Sequence, residues 1–283
     1  MSCAVLIVGF RAYDALERCL ASLPGYLQTD DEVVVVDHES DARALSKALA
    51  RCPAARGIPR PDNPGFAAGV NRAARETRAP YLLCLNPDAE LVGPVPRVLE
   101  AWLATHADTA VVGPRVVDPD GRVQGSARRF PRWSAALAGR SSWLTRRYPD
   151  NWLTSQNVVG QRAVEPMDVD WVAGSCLMTR RDVFNQLGGF DEGFFLYWED
   201  ADYCRRAAKA GFRATYLPQV TVRHQAGASS GLAKAASVRA FHESAYRLFV
   251  KHAGVSGRIA APVVKLGLRT RSWWRLKGLE RDA

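Results

Sequence analysis

Four runs of strand length, residues 4–10 (AVLIVGF), 32–36 (EVVVV), 81–85 (YLLCL) and 110–116 (AVVGPRV), fix what this chain can become. A strand wetted on one face alternates polar and apolar side chains, so a continuous apolar run means both faces are covered. Helical stripes separate the runs: residues 14–23 carry Leu16, Cys19, Leu20 and Leu23 on one face, a second segment opens at Asn63-Pro64-Gly65 and reads as helix through Ala79, and a third spans 95–106. The β-α-β-α order predicts an α/β fold, a mostly parallel sheet flanked by helices. Ligands of such sheets bind beyond the carboxyl ends of the strands. Asp37 ends the second run, and Asn86-Pro87-Asp88 ends the third.

From about 117 to 167 the pattern loosens into an excursion rich in Arg, Trp, Ser and Gly, read as a long connection with some helix. Regular structure resumes with 170–179 (DWVAGSCLMT), a helix over 181–187 stopped at Gly188-Gly189, and a helix over 199–210 closed by Gly211. Short strands at 213–216 and 220–222 and a helix over 238–252 follow, then a basic C-terminal tail. The 283 residues divide into one domain over 1–235, with a nucleotide half (1–117) and an acceptor half (118–235), and a helical, basic tail over 236–283. No apolar run approaches the roughly 18 residues of a membrane span, and the MSCAVLI start lacks the basic flank of a secretory signal, so a cytoplasmic protein is expected. The six cysteines have no metal or C-x-x-C spacing and read as small buried hydrophobes.

The net charge is +9, and the tail holds more than half of it: seven Lys/Arg from Arg258 onward against Glu280 and Asp282 leave +5. Such an excess suits nucleic acid, an anionic membrane face or a phosphorylated substrate, and charge alone does not choose. The turn after the first strand reads Gly9-Phe10-Arg11-Ala12-Tyr13, without the G-x-G-x-x-G of a dinucleotide site, and no P-loop is present. Carboxylates near strand ends instead suit a divalent cation bridging to a diphosphate, the chemistry of a nucleotide-sugar site. Asp37, Asp88 and the Glu199/Asp200/Asp202 cluster at a helix start are the acidic points available.

These residues carry a resemblance. VLIVGFR at the start, VVVD ending at Asp37, NPGFAAGVN from Asn63 to Asn71, LNPDAEL around Asp88, WVAGSCLM from Trp171, GGFDEGFFLYWEDADYCRR through Glu199 and Asp200, and HQAGAS from His224 follow one another over residues 4 to about 230. In that order they resemble family 2 glycosyltransferases of the GT-A fold, a Rossmann-like nucleotide-sugar-binding architecture, and especially bacterial rhamnosyltransferase-type members. The resemblance implies that Asp37 hydrogen-bonds the nucleobase, that Asp88 is a ligand of Mg²⁺ or Mn²⁺ on the donor diphosphate, with His224 beside it, and that Asp200 is the general base. Glu199 is the competing base; helix neighbours point about 100° apart, so one of the two faces the sugar. Asp202 reads as a partner of Arg205 or Arg206, or as a cap.

The resemblance also sets Gly9, Phe10, Phe66 and Asn86 along the donor site. Asn63, Gly65 and Asn71 either line it too or form an N-cap and a helix-packing pattern. Arg128, Arg129 and Arg132, with Trp171 and Gly174, fall on the acceptor side, where the arginines either grip an acceptor diphosphate or form a solvated loop. Two departures stand out: the metal motif opens with Asn86 rather than Asp, and His38 follows Asp37 where Asn is usual. The tail, with Trp273-Trp274 between Arg271 and Arg275, has the composition of a segment lying on the inner face of the cell membrane, or else packs its tryptophans back on the domain. The function implied is inverting transfer of a sugar, foremost L-rhamnose from dTDP-L-rhamnose, to a lipid-linked or polysaccharide acceptor in cell-wall or surface glycan synthesis. Other donors (UDP-Gal, UDP-Glc, UDP-GlcNAc) and a non-catalytic nucleotide-sugar- or glycan-binding relic are the alternatives. Nucleic acid is not expected as a partner, because basic and aromatic residues interleave only in the tail.

Overall fold

The computed structural model describes residues 2–39, 41–130, 158–160, 162–225 and 234–281. In chain order the first half runs β1 (Cys3–Gly9), α1 (Tyr13–Ala21), β2 (Glu32–Asp37), α2 (Ala42–Leu49), β3 (Ala55–Pro59), α3 (Phe66–Arg75), β4 (Tyr81–Leu85), β5 (Ala89–Leu91), α4 (Val95–Thr105) and β6 (Thr109–Val117). The second half adds β7 (Ala127–Arg128), β8 (Val158–Val159), β9 (Met167–Val169), β10 (Trp171–Val172), β11 (Cys176–Arg180), α5 (Arg181–Gln186), α6 (Glu199–Lys209), β12 (Arg213–His224), α7 (Lys234–His252) and α8 (Val255–Arg281).

The main sheet has the order β3-β2-β1-β4-β11-β6-β12-β5, and β10-β7-β8 form a small second sheet. Its first four strands are parallel, but β11 runs antiparallel between β4 and β6, and β5 runs antiparallel on β12. The sheet is therefore mixed, with its parallel character concentrated where the apolar runs are longest. Strand β1 shows why those runs are continuous: Ala4, Leu6 and Val8 face one core with Ala67 and Val70 of α3 and Tyr203 of α6, while Cys3, Val5 and Ile7 face another with Leu16, Leu45 and Leu99 of α1, α2 and α4. Both faces are dry. All six cysteines are buried free thiols, and burial pushes the Cys84 thiol up to about 12.

Several boundaries differ from the sequence expectation. Helix α3 begins at Phe66 rather than near Asn63, because Asn63 (φ 37°) and Gly65 (φ 103°) hold left-handed backbone that a right-handed helix cannot include, and it ends at Arg75 rather than Ala79. The run over 170–179 is two strands, β10 and β11, parted by a turn at residues 173–175. The two short strands expected at 213–216 and 220–222 are one 12-residue strand, whose register slips between Leu217 and Thr221, where Pro218 withholds an N–H. Helix α7 starts at Lys234, four residues before the expected start. The helix expected within the excursion lies outside the described residues, as do Arg132 and the Gly227 and Ser229 of the last motif.

Candidate functional site

Parallel pairing of β1, β2 and β4 brings Gly9, Asp37 and the turn after Leu85 to one edge, with Gly9 opposite Asp37. Asp37 is fully buried; its carboxylate accepts from the Tyr13 hydroxyl at 2.8 Å and from the Glu39 N–H at 3.3 Å. Burial, and then the hydrogen bond to Asp37, push the Tyr13 phenol up to about 12. Beside it, Arg11 (φ 54°) lays its guanidinium over the Phe10 ring and pairs with Glu39 at 2.8 Å. His38 is wedged under α3: Nδ1 lies 3.0 Å from the Arg60 carbonyl, while Nε2 is buried without a partner. A Cβ on Gly69 would come within 3.1 Å of that nitrogen and 2.7 Å of Val8, so the close approach of α3 to the ends of β1 and β2 requires glycine there.

Asn63, Gly65 and Phe66 form the entry to α3, and the Phe66 N–H donates to the Phe195 carbonyl at 2.7 Å. This places the loop before α6 against the entry to α3. Asn71 sits one turn further along α3, and its amide is occupied by backbone: Nδ2 donates to the Phe190 carbonyl (2.8 Å) and Oδ1 accepts from the Phe190 N–H (2.9 Å). Asn71 thus fixes the same loop from the core side, with Nδ2 also 3.0 Å from Glu192 Oε1.

The second group of residues forms where β5 pairs with the end of β12, which sets His224 opposite Ala89. His224 Nε2 lies 3.1 Å from Asp88 Oδ1 and 3.4 Å from Asn86 Nδ2. The other ring nitrogen is held by Gln124, whose Nε2 donates to the His224 carbonyl (2.8 Å) and whose Oε1 therefore faces Nδ1 (2.9 Å). That orientation puts a proton on Nδ1 and aims Nε2 at the Asp88 carboxylate. An imidazole nitrogen and a carboxylate oxygen converging where both side chains are nearly buried is a donor pair that suits a divalent cation. Gln124 fits the pattern of an outer partner that orients a metal-binding histidine, and nothing local in the sequence marks it, since its partner is a hundred residues away.

The third group opens α6. Tyr197 (φ 69°) and Trp198 (φ 70°) are consecutive left-handed residues, a strained entry that aims Glu199 and Asp200 inward. Asp200 accepts the Gly174 N–H at Oδ2 and the Ala201 N–H at Oδ1, both at 2.7 Å. Glu199 is buried beside it with Oε2 unpartnered. Burial pushes both carboxyls above the usual range, and for Glu199 the Asp200 charge adds to the rise, while for Asp200 the backbone donors and Arg128 oppose it. Asp200 is accordingly the member of the pair equipped to carry the negative charge, and Glu199 the one equipped to stay protonated.

The turn at residues 173–175 joins the second and third groups. The Ser175 carbonyl accepts from the Asn86 N–H at 3.0 Å, the Gly174 N–H holds Asp200, and the Ala173 N–H donates to the Ser126 carbonyl at 2.8 Å. Arg128 and Trp171 lie on the Asp200 side, the guanidinium stacking on the indole 5.1 Å from its centre, and Trp171 approaches Trp198 at 6.0 Å. Arg129 is not brought to this place; it pairs with Asp170 at 3.2 Å at the surface. Asp202 is likewise apart from Glu199 and Asp200, bound to Arg206 on its own helix at 2.8 Å and to Lys251 and His252 of α7.

Comparison with known proteins follows the same lines. A relative from Mycobacterium tuberculosis, an N-acetylglucosaminyl-diphospho-decaprenol L-rhamnosyltransferase, is 33% identical over 266 residues that cover 88% of this chain and 85% of the relative. Among solved structures, the mannosyltransferase PcManGT of Pyrobaculum calidifontis, in complex with GDP-Man and Mn²⁺, superposes with a TM-score of 0.59 at 17% identity over 98% of this chain and 72% of that one. GalNAc-T7 with UDP, GalNAc and Mn²⁺ gives 0.57 at 17% identity over 79% of this chain and 43% of its own length. At these identities the two structures speak for the fold, which is GT-A. The model of the family described as glycosyl transferase family 2 matches residues 4–188, so that family match and close relative together establish that the chain belongs to glycosyl transferase family 2 and is a hexosyltransferase.

Proposed function

We propose that this enzyme transfers L-rhamnose from dTDP-L-rhamnose, with inversion, to a lipid-linked glycan acceptor. The observation that carries the reading is the turn at residues 173–175, which couples the Asp88–His224 pair to Asp200 through Asn86 and Gly174. Displacement at an anomeric carbon needs a charge-neutralising group on one side, for the departing nucleoside diphosphate, and a carboxylate on the other, for the acceptor proton. The residues fit a divalent cation, Mg²⁺ or Mn²⁺, held by the Asp88 carboxylate and the His224 Nε2 lone pair. Bound there, the cation supplies Lewis-acid stabilisation of the leaving diphosphate.

The remaining roles belong to the chain. Asp37, with Tyr13 fixing one of its oxygens, receives the base of the nucleotide at the ends of β1 and β2. Asp200 takes the proton of the acceptor hydroxyl as that oxygen bonds to the anomeric carbon and the bond from carbon to the diphosphate oxygen breaks. Protonated Glu199 keeps a second negative charge away from it. Arg128, stacked on Trp171 next to Asp200, offers its guanidinium to an acceptor phosphate. The likeness to a relative named for L-rhamnosyl transfer to a decaprenol-linked N-acetylglucosamine diphosphate supports both the donor and the acceptor class.

The test is nucleotide release from dTDP-L-rhamnose, UDP-Gal, UDP-Glc and UDP-GlcNAc with Mn²⁺ and a polyprenyl-diphosphate acceptor. Turnover with dTDP-L-rhamnose is expected to exceed the others, and Asp200→Asn to lower kcat about 10²- to 10⁴-fold with donor affinity kept. Preference for a UDP-sugar would overturn the donor, and wild-type turnover by Asp200→Asn would overturn the base.

A further inference from the structure

Helix α8 has apolar side chains on two opposite sides, and only one of them is covered. It lies along α7, and Gly257, Ala261, Val264 and Leu268, spaced four, three and four residues apart, form its half-buried side. On the opposite side Val255, Ile259, Val263, Leu266 and Trp273, spaced four, four, three and seven, make a second line with Trp274 beside its end. These are exposed to 79%, 77%, 68%, 68%, 49% and 62%, and among the described residues the only other exposed large hydrophobics are Val92, Val164 and Phe195, elsewhere in the chain. A water-facing surface helix normally turns polar residues outward, and single exposed apolar residues need no explanation, but a line of them recurring on one side from Val255 to Trp273 does.

The charges indicate what covers it. Arg258, Lys265 and Arg269 follow a parallel line about 100° round the helix from the stripe, and Lys277 sits over the Trp273 ring at 4.6 Å from its centre. From Val255 to Leu279 the helix has no carboxylate at all. A second copy of the chain docked stripe to stripe in the antiparallel sense would set these cation rows against each other. A surface of anionic lipid head groups meets them with the opposite sign, and accepts aromatic side chains at its boundary with the acyl chains. No described helix is long and apolar enough to cross a bilayer, so the helix would lie on such a surface rather than span it.

We propose that the outward stripe of α8 is an in-plane docking surface for an anionic membrane, with Val255, Ile259, Val263, Leu266 and Trp273 entering the head-group region and Arg258, Lys265 and Arg269 pairing with lipid phosphates. The surface stands on exposure and charge, independent of the donor and the base, and its partner is the phase in which a lipid-linked acceptor is dissolved.

The test is flotation of the full chain with vesicles of phosphatidylcholine alone and with about one third phosphatidylglycerol added. The full chain is expected to float with the mixed vesicles, and to be released as salt rises from about 0.1 M to about 0.5 M. An Ile259→Ser, Leu266→Ser, Trp273→Ser triple variant changes only outward side chains and is expected to keep its melting temperature while losing at least about tenfold in partition. An Arg258→Gln, Lys265→Gln, Arg269→Gln variant is expected to lose the preference for the anionic vesicles. Asp200→Asn should float like the unaltered chain, so a failed catalytic assignment leaves this test untouched. The proposal is overturned if the full chain stays with neither vesicle or if the serine variant floats equally well. A dimer that the serine substitutions dissociate, with no vesicle binding, would overturn it too.

Discussion

Replacing Asp202 with Asn should destabilise the protein by about 3 kcal/mol without disabling the reacting groups two residues away. The side chain is fully buried and meets three donors: Arg206 Nε at 2.8 Å, Lys251 Nζ at 2.8 Å and His252 Nε2 at 2.7 Å. The other ring nitrogen of His252 lies 3.3 Å from Lys209 Nζ, which leaves Nε2 as the nitrogen that donates to Asp202. An asparagine oxygen in the place of Oδ1 retains His252 and the 2.8 Å contact of Lys251, but the amide hydrogens then face Arg206 and the second Lys251 contact, at 2.9 Å on Oδ2. Two charge-assisted hydrogen bonds are lost, each worth about 1.5–3 kcal/mol. Lys251 recovers part of its share from Asp191 at 2.7 Å, and Arg206 keeps the Gly189 carbonyl at 2.7 Å. The remainder is near the lower limit of that sum, about a hundredfold in the folding equilibrium.

Urea unfolding followed by tryptophan fluorescence measures it, and pH separates it from a packing effect. Burial alone would raise the Asp202 pKa, but hydrogen bonds from His252, Lys251 and Arg206 hold it well below the carboxylate range. A carboxyl depressed in the folded state contributes its full stability above the unfolded value of about 3.9 and loses it as pH falls toward the folded one. The gap between wild type and Asp202→Asn should therefore be whole at pH 7 and shrink below about pH 4. A difference under about 1 kcal/mol at pH 7, the scale of a surface ion pair, or one unchanged in acid, would refute the argument.

Gln124→Leu removes both bonds that orient His224, and Mn²⁺ affinity, read by calorimetry or by the metal-induced rise in melting temperature, should fall about 10- to 100-fold; unchanged affinity would release Gln124 from that role. Gly65→Ala would place a Cβ 2.4 Å from the Phe195 carbonyl at φ 103°, and thermal unfolding should show a loss of about 2 kcal/mol or more. Because burial raises the Glu199/Asp200 pair and the base must be ionised, kcat should climb with pH through a limb above the usual carboxylate range. A limb at about 4, the value of a solvated carboxyl, would place the base elsewhere.

What could be read without coordinates follows from what is local. The runs ending at Asp37 and at Asn86-Pro87-Asp88 are visible because a strand buried on both faces must be apolar throughout, and their ends then mark the ligand edge. Strand β3 (ARGIP), helix α2 (ARALSKAL) and the three residues of β5 escape that reading, the first because four of its five residues are only half-buried, the last because it is too short to show a period. The split at residues 173–175 escapes it as well, since WVAGSCLM is apolar on both sides of the turn. Yet that turn, with Gly174 on Asp200 and Ser175 on Asn86, is what makes one site of two distant motifs.

Side-chain partners at long range are the second kind of information that pattern withholds. Gln124 reaches His224 across 100 positions, and Asp202 reaches Lys251 and His252 across 49 and 50; only its i,i+4 partner Arg206 was within reach of helical spacing. The tail illustrates the same limit in another form. Composition shows that it is basic and contains Trp273 and Trp274, which serves equally for a helix packed on the domain and for one lying on a membrane. The two readings part where burial puts Ala261, Val264 and Leu268 on the side facing α7, because that leaves Ile259, Val263 and Leu266 turned to solvent, with Trp273 half-exposed against Lys277 and Trp274. The packed face satisfies the domain, and the outward face, flanked by Arg258, Lys265 and Arg269, is the one proposed to meet a lipid surface.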